Sequence, residues 1–186
     1  MKLKVHARLS WNDLFTPSDY KGDGIFKYRA TFLVEPGSEA DKSIREAIKT
    51  VATEKWKEKA PGILKGMANN KNLFCYVETD MEAKNEGEFL MALTASRQKA
   101  DGRPEVRDRD TTPLAEDDGK PYSGCYVIGI VDIWAQDNGY GKGVRASLAG
   151  VQFVKDGQAF KKTVKAKDDD FEDLGVEDEE ADEMFS

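Results

Sequence analysis

The sequence predicts a mainly β fold with one long helix, a small mixed barrel followed by a disordered acidic tail. Three observations carry this. Short stretches that alternate apolar and polar residues recur up to about residue 155, one stretch of helical period lies between two of them, and the last nineteen residues cannot build a core. A doubly wound parallel sheet would need helices between most of its strands, and the pattern offers one.

Residues 2 to 11 alternate with period two, placing Leu3, Val5, Ala7, Leu9 and Trp11 on one side and Lys2, Lys4, His6 and Arg8 on the other. Residues 25 to 34 repeat the scheme after a turn-rich link containing Gly22-Asp23-Gly24. Here Phe26, Tyr28, Ala30, Phe32 and Val34 are expected inside, with Lys27, Arg29 and Thr31 outside. Glu35-Pro36-Gly37-Ser38 stops that strand, and Ser38 with Asp41 opens a helix expected to run to about Ala60. Ile44, Ala47, Ile48 and Val51, continued by Ala52 and Trp56, form its buried stripe, and Pro61-Gly62 is read as its end. Two strands follow, 73 to 79 and 88 to 96, around a polar loop at 80 to 87. A long polar excursion from Arg97 to Pro121 precedes two closing strands, 122 to 134 and 144 to 155, joined by a Gly-rich hairpin loop at 136 to 143. No internal repeat interrupts this order. Such a series describes an oligonucleotide-binding (OB-like) barrel.

Charge divides the chain in two. All 28 Lys and Arg and 24 of the 35 acidic residues lie in residues 1 to 167, so a body of about +4 carries a tail of −11 over residues 168 to 186. The calculated pI of 4.9 therefore hides a cationic domain. Phe171 and Phe185 punctuate the acidic run and add apolar anchors that a simple solubilising tail would not need. No apolar run approaches the roughly 20 residues that span a bilayer, and the first residues show no signal-peptide core, so a soluble intracellular protein is expected. Cys75 and Cys125 stand far apart in apolar runs, which predicts buried thiols rather than a disulfide or a metal site.

Catalytic readings fare poorly on these residues. His6 is the single histidine, on a strand face among lysines, with no partner for nucleophilic catalysis. Gly139-Tyr-Gly-Lys-Gly143 lacks the Lys-Ser/Thr ending of a phosphate loop and joins two strands. A metal-dependent nuclease built on Asp101, Glu105, Asp108 and Asp110 is the strongest enzymatic alternative, but Arg97, Lys99, Arg103, Arg107 and Arg109 interleave with those acids. No cofactor or metal is expected. A site for single-stranded nucleic acid needs only a cationic track and flat rings. Lys2, Lys4, Arg8, Lys27, Arg29, Arg97, Arg103, Arg107, Lys142 and Arg145 are the candidate phosphate contacts, and Trp11, Tyr122 and Tyr140 the candidate stacking rings, with Tyr20, Tyr126 and Trp134 near them in sequence. Core packing of the rings and a solvated outer face for the lysines account equally well for many of these residues taken singly. A third reading makes the tail a nucleic-acid mimic that captures a basic protein.

Tyr122-Ser-Gly-Cys-Tyr126, the block from Asn138 through Gly143-Val-Arg-Ala-Ser-Leu-Ala-Gly-Val-Gln-Phe-Val-Lys-Asp-Gly157, and the loop Arg103-Pro104-Glu-Val-Arg107-Asp108 resemble the single-stranded DNA-binding proteins encoded by tailed bacteriophages. The resemblance spans nearly the whole chain. It implies a non-catalytic OB-fold that coats single-stranded DNA during phage replication and recombination in the host cytoplasm. It also implies that the tail, through Asp168, Asp169, Asp170, Phe171, Glu179, Glu180 and Phe185, competes for the DNA groove and recruits replication or recombination proteins. Such tails typically end on an aromatic residue, whereas Ser186 follows Phe185 here.

Overall fold

The computed structural model describes residues 1–79, 90–160 and 170–171. Strands β1 (Lys2–Ser18), β2 (Lys27–Val34), β3 (Tyr76–Thr79), β4 (Leu90–Gln98), β5 (Glu105–Arg107), β6 (Tyr126–Asn138) and β7 (Gly141–Lys155) are accompanied by helices α1 (Glu39–Trp56) and α2 (Ala60–Met67). Five strands close on themselves in the order β1–β2–β4–β7–β6–β1. This is the OB-like barrel expected. All these pairings are antiparallel except the closing one, β4 to β7, which is parallel through Ser96 and Ser147. The same edge of β7 is covered above and below that point. Leu73 and Cys75 bond to Val144, and β5 lies parallel to Gly150–Gln152.

The interior follows the period-two pattern. Val5, Leu9, Ala30, Phe32, Leu93, Ala95, Val127, Val131, Ile133, Val144 and Leu148 are buried and continuous in one cluster. Each large aliphatic or aromatic side chain among them contributes about 1.5–3 kcal/mol by leaving water. Phe32 fixes a glycine opposite: a Cβ at Gly129 would stand 2.6 Å from its ring, so β6 must be bare there for the ring to lie flat across the barrel.

Helix α1 enters through Ser38, whose hydroxyl accepts from the Asp41 amide, and buries Ile44, Ala47, Ile48, Val51, Ala52 and Trp56 against the barrel. Its N-terminal turn is locked by a buried polar cluster. Asp41 accepts from the Tyr76 hydroxyl at 2.6 Å, the Gly37 amide at 2.9 Å and Arg45 at 2.8 Å. Burial alone would favour the neutral acid, but these donors outweigh it and hold the Asp41 carboxyl below its ordinary value. At the other end the Trp56 indole donates to Asp137 at 2.9 Å, tying the helix to β6.

Several sequence expectations need correction. Strand β1 continues to Ser18, and a bulge between Leu9 and Asn12 reverses its facing, so Trp11, expected inside, is 53% exposed while Ser10 is buried. Phe26 is also exposed, because β2 begins only at Lys27 and the alternation does not reach back to it. Pro61-Gly62 does not end the helical region. After a single 3-10 turn at Lys57–Lys59, Pro61 occupies the first turn of α2, where its missing amide costs nothing. The excursion from 97 to 121 is not structureless: β5 and two 3-10 turns order it. The final hairpin is longer than its apolar pattern, because polar residues carry the ladder out to Asn138 and Gly141. Cys75 and Cys125 are buried free thiols, and burial pushes the Cys75 thiol up to about 12. The loop expected at 80 to 87 lies outside the described residues. Among the described residues no helix is long and apolar enough to cross a membrane.

Candidate nucleic-acid interface

Outward side chains of β2 alternate with the core residues, and antiparallel register carries them across the wall in rows. Lys27 stands opposite Gln98, Arg29 opposite Ser96, Thr31 opposite Thr94 and Leu33 opposite Ala92. Successive rows are about 6.7 Å apart, twice the rise per residue. The Arg29 row runs right around the barrel: Asp13 of β1, Arg29, Ser96, Ser147 of β7, Asp132 of β6 and Lys2 follow one another.

Aromatic rings flank this row on both sides. The Arg29 guanidinium lies 5.2 Å from the centre of the Tyr20 ring, and Tyr20, in the β1–β2 loop, is 69% exposed. Trp11 donates to Asp13 at 3.4 Å. On the far side the Trp134 indole donates to the Ser147 hydroxyl at 3.0 Å and keeps an exposed face, with Tyr140 at the hairpin tip 94% exposed. Phe26 completes the loop side, with the Lys99 ammonium 5.7 Å from its centre. The β1–β2 loop is not slack: Asp19 accepts from the Asp23 and Gly24 amides, which lower its pKa.

Electrostatics concentrate at the same place. Partial burial first, then the nearby charges of Arg29 and Lys21, lower the Lys27 pKa; Asp23 opposes them and Arg145 adds the weakest push downward. Lys27 thus lies within reach of three other cations. Arg145 is pinned by bonds to Gln136 and to the Asn72 carbonyl at 2.8 Å, on the same face of the hairpin as Trp134. Ordered cations between exposed rings suit a polyanion carrying flat bases.

Lys2 stands opposite Asp132, which stands opposite Ser147, so it extends the Arg29 row past β6, whereas Lys4 pairs with Ile130, one row removed. The remaining candidate residues are placed elsewhere. Lys142 pairs across the hairpin with Asp137, toward α1, and bonds to it at 3.4 Å. Arg97 binds the carbonyls of Asp101 and Gly102 and so shapes the turn after β4. Arg103 covers Phe15, and Arg107 bonds to Glu105 and the Thr111 carbonyl. Arg8 and Tyr122 hold the chain that leaves β7. Arg8 donates to the Gly124 and Gln158 carbonyls, and the Tyr122 hydroxyl donates to Asp156. Of the candidate nuclease acids, Asp108 is paired with Lys120 at 2.8 Å and Asp110 caps the Thr112 amide; among the described residues no group of three potential metal ligands gathers. In the tail, Phe171 is exposed, while Asp168, Asp169, Glu179, Glu180 and Phe185 lie outside the described residues, as do all other tail positions except Asp170.

Sequence reasoning overlooked Phe26, Lys21 and the small polar residues Thr31, Thr94, Ser96 and Ser147 that floor the rows. Lys21 was visible as a cation beside Tyr20 in a Gly-rich loop. The floor could be found only from the register.

A family model described as Enterobacter phage Enc34, ssDNA-binding protein matches residues 1–185. Putative protein p50 of Acyrthosiphon pisum secondary endosymbiont phage 1 is 43% identical over 184 residues, covering 97% of either chain. The single-stranded DNA-binding protein from bacteriophage Enc34, solved in complex with single-stranded DNA, has a TM-score of 0.67 at 24% identity over 86% of this chain and 88% of that one. The single-stranded DNA-binding protein encoded by bacteriophage T7 has a TM-score of 0.52 at 11% identity over 96% of this chain and 100% of that one. Both likenesses are of fold.

Proposed function

The chain belongs to the Enc34 single-stranded DNA-binding family, and from that premise we propose that it coats unpaired DNA in phage replication and recombination, with weak sequence preference and without catalysis. The observation that carries this reading is the joining of Lys21, Lys27, Arg29 and Arg145 in one field between Tyr20 and Trp134. Phosphates meet fixed charges there, and bases meet ring faces that accept any base. Duplex DNA hides its bases and gains only the charge term, so single strands bind more tightly.

The acidic tail, residues 168–186, acts in this reading as a tethered competitor and as a docking segment for replication or recombination proteins. Nineteen residues behaving as a random coil would span about 25 Å, against a body radius of gyration of about 15 Å, enough to reach the groove at an effective concentration on the order of millimolar. It suppresses weak, short or duplex ligands more than a long single strand.

The test is a gel-shift of a labelled oligonucleotide and its duplex with the full chain and a chain lacking 168–186, at two salt concentrations. Preference for the single strand, strengthened on truncation most at low salt, is the expected result. Equal affinity for the two DNA forms would refute the groove, unchanged affinity on truncation would refute the competitor role, and absence of binding by both chains would favour a tail that mimics nucleic acid.

A further inference from the structure

The outer wall of the barrel does not end at the Thr31 row. One step further along β2 and β4 the register brings Arg8, Leu33 and Ala92 into a row of their own, continuous with the rows that carry Thr31 and Arg29. This row is covered by the chain itself. After β7 the chain turns back across the barrel, and Phe160 packs on Leu33, Leu90 and Ala92 with the Arg8 guanidinium 4.3 Å from its ring centre.

The return path is built rather than accidental. A Cβ at Gly124 would meet the Gln158 carbonyl at 2.1 Å, and one at Gly157 would meet the Gly124 carbonyl at 2.2 Å, so two glycines allow the strands of chain to touch. The Gly157 amide bonds to the Tyr122 hydroxyl, and Arg8 donates to the Gln158 carbonyl at 2.6 Å. At its far end, among the described residues, the Phe160 amide bonds to the Ser123 carbonyl at 3.3 Å, and its ring makes the contacts given above. A groove of about 380 Å³, lined in part by His6, Arg8, Leu33, Leu90, Tyr126 and Lys155, opens on Leu33 and Leu90.

We propose that the Arg8–Leu33–Ala92 row is a further base subsite of the DNA groove, held in this structure by the ring of Phe160. A flat aromatic ring, an apolar floor and a guanidinium over the face are what a stacked nucleobase requires. When a strand long enough to reach the row arrives, its base takes the place of the phenyl ring. Arg8 then exchanges the Gln158 carbonyl for a phosphate, and the open groove beside Lys155 takes the backbone. The inference rests on the single-stranded DNA reading above, and it makes the approach to the acidic tail part of the binding site.

The experiment compares the full chain with its Phe160→Ala and Phe160→Leu variants, binding labelled oligo(dT) of increasing length, from about 4 to about 16 nucleotides, by fluorescence anisotropy at fixed salt. Phe160→Ala is expected to leave short oligonucleotides unchanged and to tighten those that reach the row by at least about fivefold, the lower end of what one stacked base is worth. Phe160→Leu, which keeps an apolar cap without a ring, gains less. In the unaltered chain, hydrogen exchange at the Phe160 amide is expected to accelerate on saturation with the long oligonucleotide and not with the short one.

A gain equal at all lengths would show that the tail alone had been released, and no gain at any length would show that no base enters; either overturns the subsite. If Phe160→Ala does not fold, the leucine variant and the exchange measurement decide. Failure of the unaltered chain to bind any oligonucleotide would instead refute the DNA-binding reading itself.

Discussion

Neutralising Lys27 and Arg29 together, as Lys27→Gln with Arg29→Gln, tests the groove most directly. Among the described residues neither side chain forms an ion pair or bonds to a carbonyl, and both face outward, so the fold has little stake in them. Four cations, Lys21, Lys27, Arg29 and Arg145, share the field at this site. With roughly 0.7 counterions released per phosphate contact on single strands, they imply a log-log salt slope of about −2.8 for the unaltered chain and about −1.4 for the double variant. Raising salt from 50 to 200 mM should then weaken the first about 50-fold and the second about 7-fold. Anisotropy titrations of a labelled oligo(dT) at four or five salt concentrations measure both slopes. Lys49→Gln with Lys55→Gln is the control, because those exposed lysines lie on α1, outside the rows of the barrel wall, and its slope should match the unaltered chain. An unchanged slope in the Lys27/Arg29 variant, or an equal fall in the control, would refute the placement of the phosphate track.

Trp134→Leu should weaken oligonucleotide binding by about 1–3 kcal/mol and reduce the tryptophan quenching that accompanies it to the share contributed by Trp11, since the exposed indole is the ring offered on the hairpin side. Lys27 supplies a pH signature. Its pKa is depressed in the free protein, and a polyanion favours its charged form, so binding takes up a proton and affinity falls as pH rises through the depressed value. Titrations between about pH 8 and about pH 10.5 should show this fall in the unaltered chain and a flatter profile in Lys27→Arg, whose charge persists. Tyr76→Phe should cost about 1.5–3 kcal/mol in urea unfolding by removing a hydrogen bond to a buried carboxylate. Because the Asp41 pKa is lowered by folding, the stability it adds is present above the unfolded value near 3.8 and is lost as pH falls through the folded one; melting curves below about pH 5 should show that loss shrinking in Asp41→Asn.

The barrel was legible because its strands are half-buried, so that Leu3, Val5 and Leu9, or Ala30 and Phe32, mark the inner face by alternation alone. Legibility failed where a local irregularity changes parity. One extra residue between Leu9 and Asn12 turned Trp11 outward, and no residue type in that stretch announces it. The helix was readable from its stripe and cap, but Pro61 marks either an end or a beginning, and the pattern cannot choose. For the site, residue types singled out Lys27, Arg29 and Arg145, which the structure gathers on one stretch of the wall. They singled out as readily Arg97 and Arg107, whose guanidinium groups shape the turns of their own loop. An arginine that shapes a turn and one that waits for a phosphate look alike in one dimension. The Thr and Ser floor between them follows from register, which long-range pairing decides.

The free edge of β7 is stitched by three separate pieces of chain, at Leu73–Cys75, at Ser96 and at Glu105–Arg107, each running parallel to it. A nascent chain emerging from the ribosome can form the β1–β2–β4 meander early, but these stitches wait for the last strand to arrive. The wall stays open until β7 has been made, and contacts so distant along the chain form slowly. Translation speed through β6 and β7 therefore governs how long the unsealed sheet is exposed to its neighbours, and the yield of native molecules should depend on it.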